Sequence, residues 1–134
     1  MRSIVGLYIV RALVIPGLVL LTGTAGHAQA PRATVTFDNQ SGEPARVKLI
    51  GPTGRLTDVP NKQKRTVTVI GGQYYIVTRY GAAADQYTYS KGDPFKVTQT
   101  ATQHSIITIT LHKVVNGNYQ TGPISAAEFD RAAP

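Results

Sequence analysis

Residues able to do acid–base, metal or nucleophilic chemistry are few in this sequence and poorly placed for it. Apart from His27, the imidazoles are His104 and His112, eight residues apart in the run HSIITITLHK. As strand residues they would share one face at a separation of about 26 Å, given about 3.3 Å per residue, which is too far to hold one metal. The chain has no cysteine to complete a ligand set. Ser105 would point to the face opposite His104, so the two cannot act as nucleophile and base. The seven acids, Asp38, Glu43, Asp58, Asp85, Asp93, Glu128 and Asp130, sit mostly in turn-like stretches or in the tail. Asp38 and Asp58 could meet across strands, but no spacing among the acids defines a general acid–base pair. The expectation is a non-enzymatic protein with no catalytic residue, no metal and no cofactor.

Two other groups are candidates for binding. Tyr74, Tyr75, Tyr80, Tyr87, Tyr89 and Tyr119 are dense for so short a chain. Tyr74 and Tyr80 share a face with Ile76, whereas Tyr75 falls on the other face with Val77 and Arg79. Beside Tyr87 or Tyr89, Tyr75 would build an exposed aromatic strip suited to a sugar ring or a peptide; the plainer alternative is cross-strand packing. The second group is basic: Arg46, Lys48, Arg55, Lys62, Lys64, Arg65 and Arg79 occupy outward strand positions or the loop near residue 62. Together they would attract an anionic partner; the alternative is an ordinary solubilising surface.

The elements that must position these residues read as strands. Arg65 to Tyr80, RTVTVIGGQYYIVTRY, alternates Val67 and Val69 against Thr66 and Thr68, then Tyr74, Ile76, Thr78 and Tyr80 against Tyr75, Val77 and Arg79. The Gly71-Gly72 pair between the two runs predicts a β-hairpin, with Gly72 at positive φ or packed too closely to admit a Cβ. Further strands are expected over 33–38, 46–50, 55–59, 87–89, 95–97 and 104–113, separated by turn residues such as Gly51-Pro52-Thr53-Gly54, Lys91-Gly92-Asp93-Pro94 and Asn116-Gly117. Asn39 to Pro44 reads as loop chemistry and Gly81 to Gln86 as a patternless loop. Ser125-Ala126-Ala127-Glu128 is a capping box, with Ile124 and Phe129 spaced as a hydrophobic staple, so a short helix is expected there. About seven short strands without a long helical pattern predict an all-β fold, an antiparallel β-sandwich of the Ig-like or prealbumin-like kind.

The first thirty residues have a different character. Arg2, an apolar run from Ile4 to Leu21 interrupted by Arg11, and Ala28-Gln29-Ala30 follow the order of a secretory signal peptide with its helix and A-x-A site. Pro31 directly after that site is unfavourable for the peptidase, and cleavage after Ala28 is the alternative. A single membrane-spanning helix fits less well, because Pro16-Gly17 and Arg11 break the run. The expected organisation is a signal peptide over 1–30 and one β-sandwich domain over 31–134. That predicts an exported protein, periplasmic or extracellular, with no membrane span after processing. Removing Arg2 and Arg11 leaves twelve basic and seven acidic residues, and the whole excess lies before Gly81.

From Val35 to Tyr80 the chain resembles small exported β-sandwich modules of the carboxypeptidase regulatory-like and PEGA type. The resemblance is carried by Val47-Lys48-Leu49, Gly51-Pro52-Thr53-Gly54, Val59-Pro60, Arg65-Thr66-Val67-Thr68-Val69 and Gly72-Gln73-Tyr74. It implies a non-catalytic spacer or binding accessory and transfers no site residue. The composite expectation is a binding or structural module of the bacterial cell envelope. Its partner would be an anionic envelope component (glycan, lipopolysaccharide phosphate or teichoic acid) or an acidic protein surface; nucleic acid is not expected. The alternative is a secreted inhibitor or effector that uses the basic loops against another protein.

Overall fold

A computed structural model describes residues 6–16, 32–112 and 121–134. There are ten strands among them, several built from alternating β-branched and polar residues: β1 (Gly6–Pro16), β2 (Ala33–Asn39), β3 (Ala45–Ile50), β4 (Arg55–Val59), β5 (Lys64–Val69), β6 (Gly72–Tyr80), β7 (Thr88–Gly92), β8 (Phe95–Val97), β9 (Gln103–His112) and β10 (Thr121–Pro123). One sheet has the order β1-β9-β2-β5 and the other β10-β7-β6-β3-β4, with β8 also paired to β6. All pairings are antiparallel except β2 with β9, which is parallel. The inward residues of both sheets, among them Val35, Phe37, Val47, Leu49, Ile76, Ile107, Ile109 and Leu111, meet in one apolar core. The fold is an all-β sandwich. The expected loop from Gly81 to Gln86 connects β6 to β7, and Ala84–Gln86 within it forms a 3₁₀ turn.

The expected hairpin at Gly71-Gly72 is not a hairpin. β5 pairs with β2 in one sheet and β6 with β3 in the other, so Ile70 and Gly71 carry the chain across the sandwich. Alternation fixes which side chains face the core. It does not say whether the next strand pairs backbone to backbone or faces its predecessor across that core. The glycines serve the crossing: Gly72 has φ +152°, and a Cβ there would lie 2.6 Å from Pro52 Cγ. Tyr74, fully buried, pins this corner; its hydroxyl donates to Ile70 O at 2.8 Å and accepts from Thr53 N at 3.1 Å. Its ring leaves no room for a Cβ on Gly51.

The opposite end is held by Asn39, which is fully buried. Its amide Nδ2 donates to Val59 O at 2.8 Å and Glu43 O at 2.7 Å, and its Oδ1 accepts from Ser41 N and Oγ at 3.0 and 2.7 Å. Its backbone N–H donates to Gln63 O at 2.9 Å and its carbonyl accepts from Lys62 N at 2.8 Å. A loop-like Asn in sequence is therefore the junction between the end of β2, the β2–β3 loop and the β4–β5 turn.

The N-terminal apolar run also differs from expectation. Over Gly6–Pro16 it is a strand, antiparallel to β9 from Gly6 opposite His112 to Pro16 opposite Gln103, with an irregularity between Ile9 and Arg11. A continuous apolar run satisfies the pattern of a strand buried on both faces as well as that of a signal helix, and the edge of β9 supplies backbone partners. The cleavage site at 28–30, Pro31, His27, Lys113, Asn116-Gly117 and Tyr119 lie outside the described residues. The tail forms the expected helix, α1 (Ala126–Arg131), with Ser125 Oγ accepting from Glu128 N at 3.1 Å and Phe129 buried. Glu128 has its carboxylate 3.8 Å from Lys91 Nζ rather than on the Ser125 amide.

Two substitutions test these corners. Gly72→Val should cost more than about 1.5 kcal/mol, seen as a lower melting temperature, because it adds a clash to a backbone angle that L-residues avoid. Asn39→Ala should cost about 2–4 kcal/mol in urea unfolding, because it removes the buried amide that bonds Val59 O, Glu43 O and Ser41 at this corner.

Candidate functional site

Strand β3 joins the sheet of β6, so Arg46 lies opposite Arg79 and Lys48 opposite Val77 on the outward face of that sheet. Arg46, Lys48 and Arg79 therefore do share a surface, but each is already engaged. Arg46 Nε and Nη2 donate to the two Asp58 oxygens at 2.7 and 3.1 Å. That bond raises the Arg46 pKa and holds the Asp58 carboxyl below its ordinary value. Lys48 Nζ donates to Phe129 O at 2.8 Å and Ala132 O at 3.2 Å, where a cation complements the carbonyl end of α1, and it sits 4.3 Å from the Phe129 ring centroid. The Arg79 guanidinium stacks 4.1 Å above Tyr87. Lys91, not singled out in the sequence, lies 5.1 Å from the Tyr75 ring centroid.

The aromatic strip forms in altered shape. Tyr87 and Tyr89 meet edge to face at 6.3 Å, and Tyr89 continues onto Phe129 at 5.3 Å. Tyr75 is covered by Lys91 instead of stacking with either. Helix α1 lies against β6 and β7, and Val77 on this outward face is 1% exposed. The strip is thus the bed of the tail helix, interleaved with cations, and not a bare platform.

Lys62, Lys64 and Arg65 belong elsewhere. β4 and β5 are the outer strands of the two sheets on the same side of the sandwich, and the turn carrying Lys62 joins them. Register places Arg65 opposite Phe37 and Arg55 opposite Leu49, so both arginines occupy positions of inward parity on edge strands. Both are exposed, standing at the two ends of the open seam between the sheets. A charge at such a position discourages edge-to-edge pairing. Arg65 folds back onto Lys64 O at 2.9 Å and Gln63 Oε1 at 3.0 Å. At the Arg55 end, a groove of about 470 Å³ is lined by Arg32, Arg55, Thr53, Thr68, Ile70 and Gln99. Arg32 is not marked as a candidate by the sequence; it immediately precedes β2, and the packing of the two sheets, not nearness in sequence, sets it in one groove with Arg55. Among the described residues, Lys64 alone of Arg32, Arg55, Lys62, Lys64 and Arg65 approaches a carboxylate, Asp38 at 4.0 Å. Lys62 has φ +63°, held there by its bond to Asn39 O.

The groups weighed for catalysis are dispersed. His104 and His112 stand near the two ends of β9, and Ser105, on the buried face, accepts from Thr98 N at 2.8 Å. Asp38 and Asp58 lie in different sheets, and no three His, Asp or Glu side chains among the described residues converge as a metal site. Within the core, burial pushes the Tyr80 phenol well above its usual pKa. The neighbouring hydroxyls of Thr78 and Ser90 offset part of that shift, yet none of the three oxygens has a hydrogen bond of good geometry among the described residues.

No protein-family model, curated protein or solved structure matches the chain.

Tyr80→Phe should leave stability at neutral pH unchanged or raise it by up to about 1 kcal/mol, since it removes an under-bonded buried hydroxyl. Above about pH 10 the unfolded tyrosine ionises while the buried one does not, so the native protein loses stability as pH rises. Urea midpoints between pH 7 and 11 should therefore fall less steeply for the variant than for the native chain.

Proposed function

We propose that this chain is exported, that its apolar N-terminal segment is removed, and that the remaining sandwich is a non-enzymatic binding module of the bacterial cell envelope. Its ligand is a polymer bearing repeated sulfate, carboxylate or phosphate groups, taken along the β4–β5 side. One observation carries this reading: Arg32, Arg55, Lys62, Lys64 and Arg65 line that side, with a single long ion pair among them within the described residues. The cations of the outer face are committed to Asp58, the tail helix and aromatic rings. Unpaired surface cations retain their full potential for a flexible anionic chain, whereas paired or stacked ones do not. Lys62 supports the reading from another direction. It holds a left-handed backbone position where glycine would be relaxed, so the cation is kept at a conformational cost of about 1 kcal/mol. The groove between Arg32 and Arg55 offers threonine hydroxyls and an amide beside the guanidinium groups, a donor set suited to oxyanions.

The test is retention of the processed protein on heparin resin under rising salt. Replacing Lys62, Lys64 and Arg65 with Ser should weaken binding severalfold and flatten its salt dependence, and Arg32→Ser with Arg55→Ser should act in the same direction. Arg46→Ser with Arg79→Ser removes two charges from the other surface and should leave retention close to native. Equal losses from every set would mean that net charge, and not this side of the sandwich, governs the interaction.

A further inference from the structure

If the N-terminal segment is removed, as the proposed export requires, the sheet β1-β9-β2-β5 loses β1 and β9 becomes its edge. The other outer strands are guarded. β4 carries Arg55 and Asp58, β5 carries Lys64 and Arg65, and β10 has only three residues, ending in Pro123. Charges, prolines and short length are the usual devices against pairing with a foreign strand. β9 has none of them: its ten residues, QHSIITITLH, contain no acid, lysine, arginine or proline.

The free side of β9 is prepared for an antiparallel strand. Leu111 O accepts from Gln40 N, at the end of β2, so the odd-numbered residues turn their backbone groups toward β2. Ile106, Thr108 and Thr110 then direct theirs to the opposite side, which β1 occupies in antiparallel register. An edge that accepts one antiparallel strand of its own chain offers the same row of N–H and C=O groups to another.

A second copy of β9 suits this edge, because self-pairing of a strand without Asp, Glu, Lys or Arg sets no like charges opposite each other. Read antiparallel to itself about Thr108, β9 sets Ile107 against Ile109, Ile106 against Thr110, Ser105 against Leu111 and His104 against His112. Every residue on the core face meets another on the core face, and every outward residue meets an outward one. Ser105, Ile107, Ile109 and Leu111 are buried on the core face, so the pairing continues an apolar surface across the junction. A self-complementary edge is what a closed two-fold dimer needs.

We infer that the processed chain pairs with a second copy of itself through β9, antiparallel about a two-fold axis at Thr108, joining their sheets into one continuous sheet. The inference rests on the proposed removal of the N-terminal segment. The polyanion-binding side is unaffected, since β4 and β5 lie at the far edge from β9.

The experiment uses chain expressed with its leader and purified after export. Intact mass comes first. A retained N-terminus keeps β1 on the edge and overturns both the inference and the proposed removal of that segment. With the segment gone, sedimentation across a concentration series should show a reversible dimer; a monomer throughout overturns the inference while leaving heparin retention as the separate test of the polyanion reading. Thr108 faces outward and is only partly buried, so a charge there is accepted by the monomer. Thr108→Lys and Thr108→Glu should each raise the dimer dissociation constant at least about tenfold, because like charges then face each other at the axis. An equimolar mixture of the two should dimerise again, which a misfolded variant could not do. A dimer indifferent to both substitutions, or a mixture that stays monomeric, overturns the Thr108 register.

Discussion

The buried amide of Asn39 is the constraint on which the sandwich depends at one end. It lies where β2 leaves one sheet, and its side chain is bonded to Val59, the last residue of β4 in the other sheet. Its backbone closes the β4–β5 turn through Lys62 and Gln63. All of its polar groups are satisfied, so the cost of burying an amide is offset and the two sheets are fixed in their relative position. Tyr74 does the equivalent at the other end, tying the β5–β6 crossing to the β3–β4 turn. Between these two polar corners the core is mostly apolar, and the adjacent Tyr80, Thr78 and Ser90 hydroxyls stand in it without a hydrogen bond among the described residues.

The same corners decide how charge is distributed. Lys62 is held at positive φ because its N–H is needed by Asn39, and it projects from a turn that joins the two edge strands β4 and β5. Arg55 and Arg65 take inward-parity positions at which a sandwich interior would ordinarily demand an apolar residue. They remain exposed only because the sheets end there. On the broad outward face of the other sheet, by contrast, the tail helix arrives and recruits the cations: Lys48 to its carbonyls and Lys91 to Glu128. Position in the sheet, and not residue type, separates the available cations from the committed ones.

Strand locations were legible in the sequence because alternation of Val, Ile and Thr with polar residues is a local property. The runs at 33–39, 45–50, 64–69, 72–80 and 103–112 follow from it, as does the Ser125 cap. What each strand pairs with was not legible. Gly71-Gly72 suits a tight turn and a crossing between sheets equally, and only the partners of β5 and β6 distinguish them. The apolar run at 6–16 is compatible with helix and strand alike. Lys48 alternates like a solvent-facing lysine, and nothing local reveals a helix eighty residues later whose carbonyls it meets. The candidate basic site was half legible for the same reason: Lys62, Lys64 and Arg65 are near neighbours in sequence, whereas Arg32 meets Arg55 in one groove only through tertiary packing.

The parallel pairing of β2 with β9 carries a consequence for time rather than for shape. Thr34 lies opposite Ile106, and no chain shorter than that separation can complete the sheet. β2 can meet β5 earlier, but the Ile107, Ile109 and Leu111 wall of the core is missing until most of the chain has emerged. Loop closure over such a distance precedes the contacts that reward it, which places the domain among the slow folders, on the scale of milliseconds to seconds. The architecture itself postpones the native state until the last long strand is available to pair with the first strand of the domain.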